Sequence, residues 1–285
     1  MINEFTNYLK TDANLSSKSL KSYCMDVKQY LNNCQDYLNP DIYEYVNYLT
    51  NTLKLKDSSV RRKIISVRKF YDYLVLKGII EKSPFEGLEL KIKQEKNPTP
   101  KVLTINEIKQ LLDCFNIDRS TLSGFQKSQF IRDAALIDLL ISTGIKVEEA
   151  SNILLTDIFP QEKSIFIRSK VCKERYVYIT SLTTWNRLVE LIDIQKSIGT
   201  NYLFTNRYNQ QISTQSIEKI YTKYVKKTQI NIKSSPNDLR HTFASNLMLN
   251  GADLQTVRQI LGFSDTSSSI LKYVKKDTCQ RLNKY

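Results

Sequence analysis

The stretch Asn237-Asp-Leu-Arg-His-Thr-Phe-Ala-Ser245 decides how this chain is read. It opens a segment, Asn237 to Leu249, whose pattern predicts a helix. It also sets Arg240 beside His241, the only histidine among 285 residues. One histidine rules out a multi-histidine metal site, and a Ser-His-Asp arrangement would have to use that residue. His241 reads as a packed helix residue. No P-loop occurs and only seven glycines are spread along the chain, so no cradle for nucleotide phosphates is expected. Any chemistry here is therefore expected to run without metal, nucleotide or other cofactor.

Outward from this stretch, the C-terminal half reads as helices around one hairpin. Thr104-Ile-Asn-Glu107 is a capping-box start for a helix reaching about Cys114. Arg132 to Ser142 is apolar and helical, and Thr143-Gly144 ends it. A second short helix begins near Lys146. Ser164-Ile-Phe-Ile-Arg-Ser and Arg175-Tyr-Val-Tyr-Ile-Thr alternate like strands across a lysine-bearing turn. Helices are expected again over 182–196, 214–228 and 253–261.

The N-terminal segment, Ile2 to about Leu90, reads as helical throughout. Leu15-Ser-Ser-Lys18 offers a capped start for a helix over 19–31, and a second helix spans roughly 40–53. In the clearest helix, Ser58 to Leu76, residues Val60, Ile64, Val67, Tyr71 and Leu74 form one apolar stripe, with Asp57 or Ser58 as the expected cap. Arg61 and Arg68 fall on its flank and Arg62 and Lys69 on its back, which makes a basic surface suited to phosphates. Lys91 to Lys101 is polar and carries two prolines, as an interdomain linker does. The expected organisation is a helical domain over 1–90, a linker over 91–101 and a second domain over 102–285.

Lysine and arginine number 42 against 29 acidic residues, a net charge of +13. That excess favours a polyanionic partner, nucleic acid first. The five cysteines are scattered without a CxxC pair, which argues against a disulfide framework and a structural zinc site. No apolar run is long enough to span a membrane, and Met1 to Lys10 carries charges where a signal peptide needs an apolar run. A cytoplasmic protein is expected.

Four strings, in order, resemble the tyrosine recombinase (phage integrase) family. Leu139-Leu-Ile-Ser-Thr-Gly-Ile-Lys-Val-Glu-Glu-Ala150 is similar to the family's first box, where an arginine follows the Thr-Gly turn and a glutamate comes three residues later. Ser169-Lys-Val-Cys-Lys-Glu-Arg-Tyr-Val177 resembles the hairpin that carries a lysine. Asn237 to Ser245 resembles the second box, usually His-x-Leu-Arg-His-Thr-Phe-Ala. Gly251 to Phe263 resembles the segment that ends in Leu-Gly-His. In the N-terminal half, Leu15 to Tyr23, Arg62 to Tyr71 and Ser83-Pro-Phe85 look like the core-binding domain of the family's Xer branch.

The resemblance implies a mainly α fold: an N-terminal helical, SAM-like core-binding domain and a mostly helical catalytic domain with a small antiparallel sheet. It implies a tyrosine hydroxyl that attacks a DNA phosphodiester and leaves a 3′-phosphotyrosine. A 5′-hydroxyl later reverses the step, so bond energy is conserved and no ATP is needed. Cationic donors suit such a site because negative charge gathers on the non-bridging oxygens. Arg240 matches the second-box arginine. Lys170 stands at the hairpin lysine, with Lys173 as its basic neighbour, and can protonate the leaving oxygen. Lys146 stands where the first arginine is usual; it keeps the charge and loses the bidentate fork. Asn237 replaces a histidine, hydrogen-bonding a phosphate oxygen without serving as a base. Phe263 replaces the last histidine, as an aromatic that can pack against the nucleophile. The family spacing to the nucleophile lands on Lys272, and one inserted residue within Asp265 to Leu271 brings Tyr273 into place.

The expected partner is duplex DNA clasped between the two domains, in a homo- or hetero-tetramer, with no membrane. The altered positions leave a second reading, a noncatalytic DNA-binding accessory protein of the same fold. A third is a topoisomerase-like relaxing enzyme. All three require phosphate contacts. With about six to ten of them, DNA affinity measured by fluorescence anisotropy should fall on the order of a thousandfold between roughly 50 and 200 mM salt. An affinity flat over that range would contradict the basic-surface reading.

Overall fold

The computed structural model describes residues 2–11, 17–90, 101–169, 173–231 and 233–263. It divides into two compact units, Met1–Pro98 and Thr99–Tyr285. The described residues are mainly helical, with one small antiparallel sheet.

The first unit contains α1 (Ile2–Thr11), α2 (Ser17–Asn33), α3 (Ile42–Asn47) and α4 (Asp57–Leu76). The stripe expected on α4 is its buried face, and burial extends beyond it to Ser66, Phe70 and Tyr73. Phe5 of α1 meets Phe70 edge-on at 5.3 Å between centroids. Phe85 of the Ser-Pro-Phe string is buried and packs against Tyr71.

Two expectations need correcting here, and a third position gains partners. The single helix expected over 40–53 is α3 followed by a π-helical turn, Tyr48–Thr52, with Asp41 capping α3 through the Glu44 N–H at 3.0 Å. The helix α4 starts at Asp57 behind Lys56, and no side chain caps it. Arg62 is exposed on the back where it was expected. It donates to Ser22 Oγ at 2.7 Å and to Asp26, both on α2. Asp26 is itself buried and also accepts from Lys63 at 2.9 Å and Ser66 at 2.9 Å. The start expected at Leu15 to Lys18 falls partly outside the described residues.

The second unit is built around α6 (Gly124–Thr143), buried almost without interruption from Phe130 to Leu140. A helix apolar on every side must be surrounded. The neighbours are α5 (Ile105–Asp113), α8 (Leu182–Ile198) and α10 (Pro236–Leu249). The expected Thr104 capping box on α5 is present. The start expected for α6 at Arg132 lies too far along; a Ser123–Gln126 capping box begins it at Gly124.

The sheet has the order β1 (Ile158–Phe159), β2 (Ser164–Ile167), β3 (Arg175–Tyr178), both pairs antiparallel. The β2–β3 hairpin was expected and β1 was not, because two residues carry no readable period. Ile165 opposite Val177 faces the core. The unit also contains α7 (Val147–Ser151), α9 (Thr214–Val225) and α11 (Leu254–Leu261), with α7 packed on α9 and α11 on α10. Ala244 and Met248 of α10 with Val257 and Leu261 of α11 form a separate small core.

The Asp26 cluster makes unequal demands on its partners. Lys63 is nearly enclosed, with 14% of its side chain exposed, whereas Arg62 is 44% exposed. Asp26→Ala strands a buried ammonium and should cost about 3 kcal/mol in urea denaturation. Arg62→Ala removes a solvent-screened partner and should cost under about 1 kcal/mol. Equal losses would mean that Arg62, not Lys63, carries the contact between α2 and α4.

Candidate active site

Arg240 is the organising side chain. It projects from α10 and is buried, with 4% of its surface exposed. Its Nη1 donates to the Gly144 carbonyl at 2.8 Å and its Nη2 to the Leu261 carbonyl at 2.8 Å. Those carbonyls end α6 and α11, where helices leave acceptors without intrahelical donors and concentrate negative dipole. A guanidinium suits both. The ring of Phe263 lies 4.9 Å from Arg240 Cζ, a cation–π stack on one face of the plane.

Gly144 also sets the entry to Lys146. It ends α6 in the left-handed region, φ 61°. A Cβ there would fall 2.6 Å from Phe243 Cδ1 and 3.1 Å from Leu261 Cδ2, so only glycine lets the chain turn this close to α10 and α11. Two residues on, half-buried Lys146 caps α7. Its backbone N–H donates to Glu149 Oε2 at 2.8 Å.

Glu149 is buried and receives a fork. Arg175 Nη1 and Nη2 donate to Oε1 and Oε2 at 3.1 and 2.9 Å. Burial pushes the Glu149 carboxyl up, but the Arg175 hydrogen bonds and charge, the Lys146 N–H and the Arg240 charge outweigh it and hold the group below the usual glutamate range. Arg175 Nε donates to the Ile260 carbonyl at 2.8 Å. The last turn of α11 thus meets two arginines, one on Ile260 and one on Leu261. Gly262, φ 70°, completes the junction; its absent Cβ would lie 2.5 Å from Arg175 Nη1 and 3.2 Å from the Lys173 carbonyl.

Of the site residues expected from sequence, Lys146, Arg240 and Phe263 are held in one cluster through Gly144, Glu149 and Leu261. Asn237 is exposed one turn before Arg240 on the same helix. Lys173 is exposed at the foot of β3, and His241 is half-buried on α10. Phe263 packs on Arg240. Lys170 and Tyr273 lie outside the described residues. In the other unit, Arg68 Cζ stands 5.2 Å from the Phe85 ring, and Arg61 and Lys69 are half-buried on α4.

Sequence reading missed Arg175 and used Glu149 only as part of a motif. A signal was present. Arg175 shares the inward phase of its strand with Val177 and Ile179, and an arginine on that phase needs a buried carboxylate.

Residues 101–279 match the phage integrase family, and residues 2–78 match the phage integrase N-terminal SAM-like domain. The chain belongs to the phage integrase family. A tyrosine recombinase of Agathobacter rectalis is 30% identical over 269 residues, 92% of this chain and 88% of its own length. The tyrosine recombinase XerC of Listeria welshimeri is 32% identical over 292 residues, 96% and 93% of the two chains. Among solved structures, XerA recombinase superposes with a TM-score of 0.54 at 26% identity, covering 98% of this chain and 97% of its own. XerH bound to its palindromic difH substrate gives 0.75 at 20% identity, covering 100% and 83%, a likeness of fold. Within this phage integrase, the first box, the hairpin foot and the second box are the segments that Glu149, Arg175 and Arg240 join.

Gly262→Ala tests how tightly that junction closes. The new methyl meets a guanidinium held at three points and a left-handed backbone. We expect a loss of roughly 1–3 kcal/mol in urea denaturation of the full chain. A loss near zero would show that Arg175 yields freely, and that it does not fix the hairpin to α11.

Proposed function

We propose that this chain is a site-specific recombinase that cleaves and rejoins duplex DNA through a 3′-phosphotyrosine, without metal or ATP. The observation that carries the proposal is the buried, triply oriented Arg240, joined through Gly144 and Glu149 to the backbone of Lys146. A preorganised cation does most for a phosphoryl transition state when it need not reorganise as charge develops.

In this reading Arg240 and Lys146 flank the scissile phosphate. Asn237 hydrogen-bonds one of its oxygens. Tyr273 attacks phosphorus and forms the Tyr–O–P bond as the bond to the 5′-oxygen breaks, and Lys170 supplies that oxygen's proton. Lys173 adds charge beside it. Phe263 serves by stacking on Arg240. In the N-terminal domain, Arg61, Arg68 and Lys69 of α4 are the candidates for backbone phosphates, while Arg62 is already committed to Asp26. The domains 1–90 and 102–285 are joined by the linker 91–101, the partner is duplex DNA, and four protomers of one or two kinds assemble on it. No helix of the described residues is long and apolar enough to cross a membrane, and we place the protein with DNA in the cytoplasm.

A noncatalytic DNA-binding role is the second reading, favoured by Lys146 in the first box. A suicide substrate that traps covalent adducts separates the two. We expect an adduct from the native chain, several-fold more from Lys146→Arg, and none from Tyr273→Phe, whose DNA affinity should stay nearly unchanged. If Lys146→Arg yields no adduct on the cognate site, the noncatalytic role is the better one. If Tyr273→Phe still reacts, the nucleophile is another tyrosine.

A further inference from the structure

We infer that Arg175 is a positioning residue whose task is to occupy Glu149, so that this buried carboxylate does not neutralise Arg240. This rests on the recombinase reading for its consequence in catalysis, but the electrostatic relation can be tested alone.

The site contains a contradiction that Arg175 resolves. A phosphate-binding centre gains from net positive charge, yet Glu149 lies enclosed within it. Its carboxylate accepts the Lys146 N–H and lies within the electrostatic reach of Arg240. A buried carboxylate takes the best available cation, because leaving it unpaired costs several kcal/mol. Three cations belong to the neighbourhood: Lys146, Arg240 and Arg175. Arg175 meets Glu149 with two parallel bonds, 8% of its side chain being exposed against 4% for Glu149. Its third contact, Nε to the Ile260 carbonyl, fixes the direction of the fork. Gly262 leaves the room in which the guanidinium lies. The fork therefore spends the Glu149 charge on Arg175 rather than on Arg240.

Without Arg175, the nearest replacements are the two cations the phosphate needs. Arg240 would turn toward Glu149 and leave the carbonyls of Gly144 and Leu261, or the Lys146 ammonium would fold back over its own helix cap. In both cases the loss falls on anion binding and on the rate. Simple loosening of the fold would not be relieved by removing one more hydrogen-bonding charge, whereas this loss would be, by neutralising Glu149.

The test compares the native full chain with Arg175→Gln, Glu149→Gln and the double variant. Cleavage is followed in a single turnover on a suicide substrate, and affinity for inorganic orthovanadate, a phosphate-like anion, by calorimetry. Arg175→Gln should cleave on the order of a hundredfold more slowly and bind vanadate roughly tenfold more weakly. The double variant should recover at least about tenfold of the cleavage loss and bind vanadate like Glu149→Gln, within about threefold. Because the double variant is compared with Glu149→Gln, the result stands even if Arg175→Gln does not fold. A double variant far weaker than Glu149→Gln in both measurements would overturn the inference, since Arg175 would then matter without a carboxylate to occupy. If the native chain binds vanadate in this pattern but cleaves no DNA, the recombinase reading fails and the role of Arg175 stands.

Discussion

Glu149 sits where three parts of the chain meet, and its pairing with Arg175 is the constraint on which the site depends. The carboxylate fixes the start of α7 through Lys146, and the fork fixes β3 against α7. Through Nε, Arg175 also holds the end of α11, which Arg240 holds from the other side. None of these segments is long enough to define its own position. Helix α7 has 5 residues, β3 has 4 and α11 has 8. Apolar packing supplies cohesion there but little direction. Hydrogen bonds from planar guanidinium groups supply direction, because each fork donates in one plane only.

The same device recurs through the molecule and bears on its charge. Asp26 is buried with Lys63, Asp133 with Arg132, Asp138 with Arg187 and Asp157 beside Arg168. Each of these carboxylates is enclosed and takes at least one basic side chain as partner. A chain with 42 basic and 29 acidic residues thus commits part of its smaller acidic set to its interior. Each such pair is close to neutral, so the net charge of +13 is carried by the remaining basic residues, an excess that gathers a polyanion before any specific contact forms.

Much of this was legible in the sequence, for physical reasons. The face of α4 followed from one stripe, because each of its positions answers to the same core. The Thr104 box on α5 was readable because cap and reciprocal partner lie three residues apart. Arg240 and its string were plain from a motif in which every residue is local. What escaped was nonlocal or short. The partner of Arg62 escaped because Asp26 lies on another helix. The pairing of Arg175 with Glu149 joins residues 26 apart, and nothing in the strand alone says which acid it meets. The contact of Phe263 with Arg240 joins residues on either side of α11 and was likewise not foreseen.

The framework also explains how a lysine can occupy the first box without disturbing the fold. The observed anchor of residue 146 is its backbone N–H, bonded to Glu149, and its place after the Gly144 turn is set by steric closeness to Phe243 and Leu261. Both constraints act on the main chain. Arg240 takes its position from carbonyls and an aromatic ring, and Arg175 from Glu149 and Ile260. The scaffold around residue 146 is therefore specified by its neighbours. In the recombinase reading, a lysine mounted there offers an anion a point charge where an arginine would offer a fork.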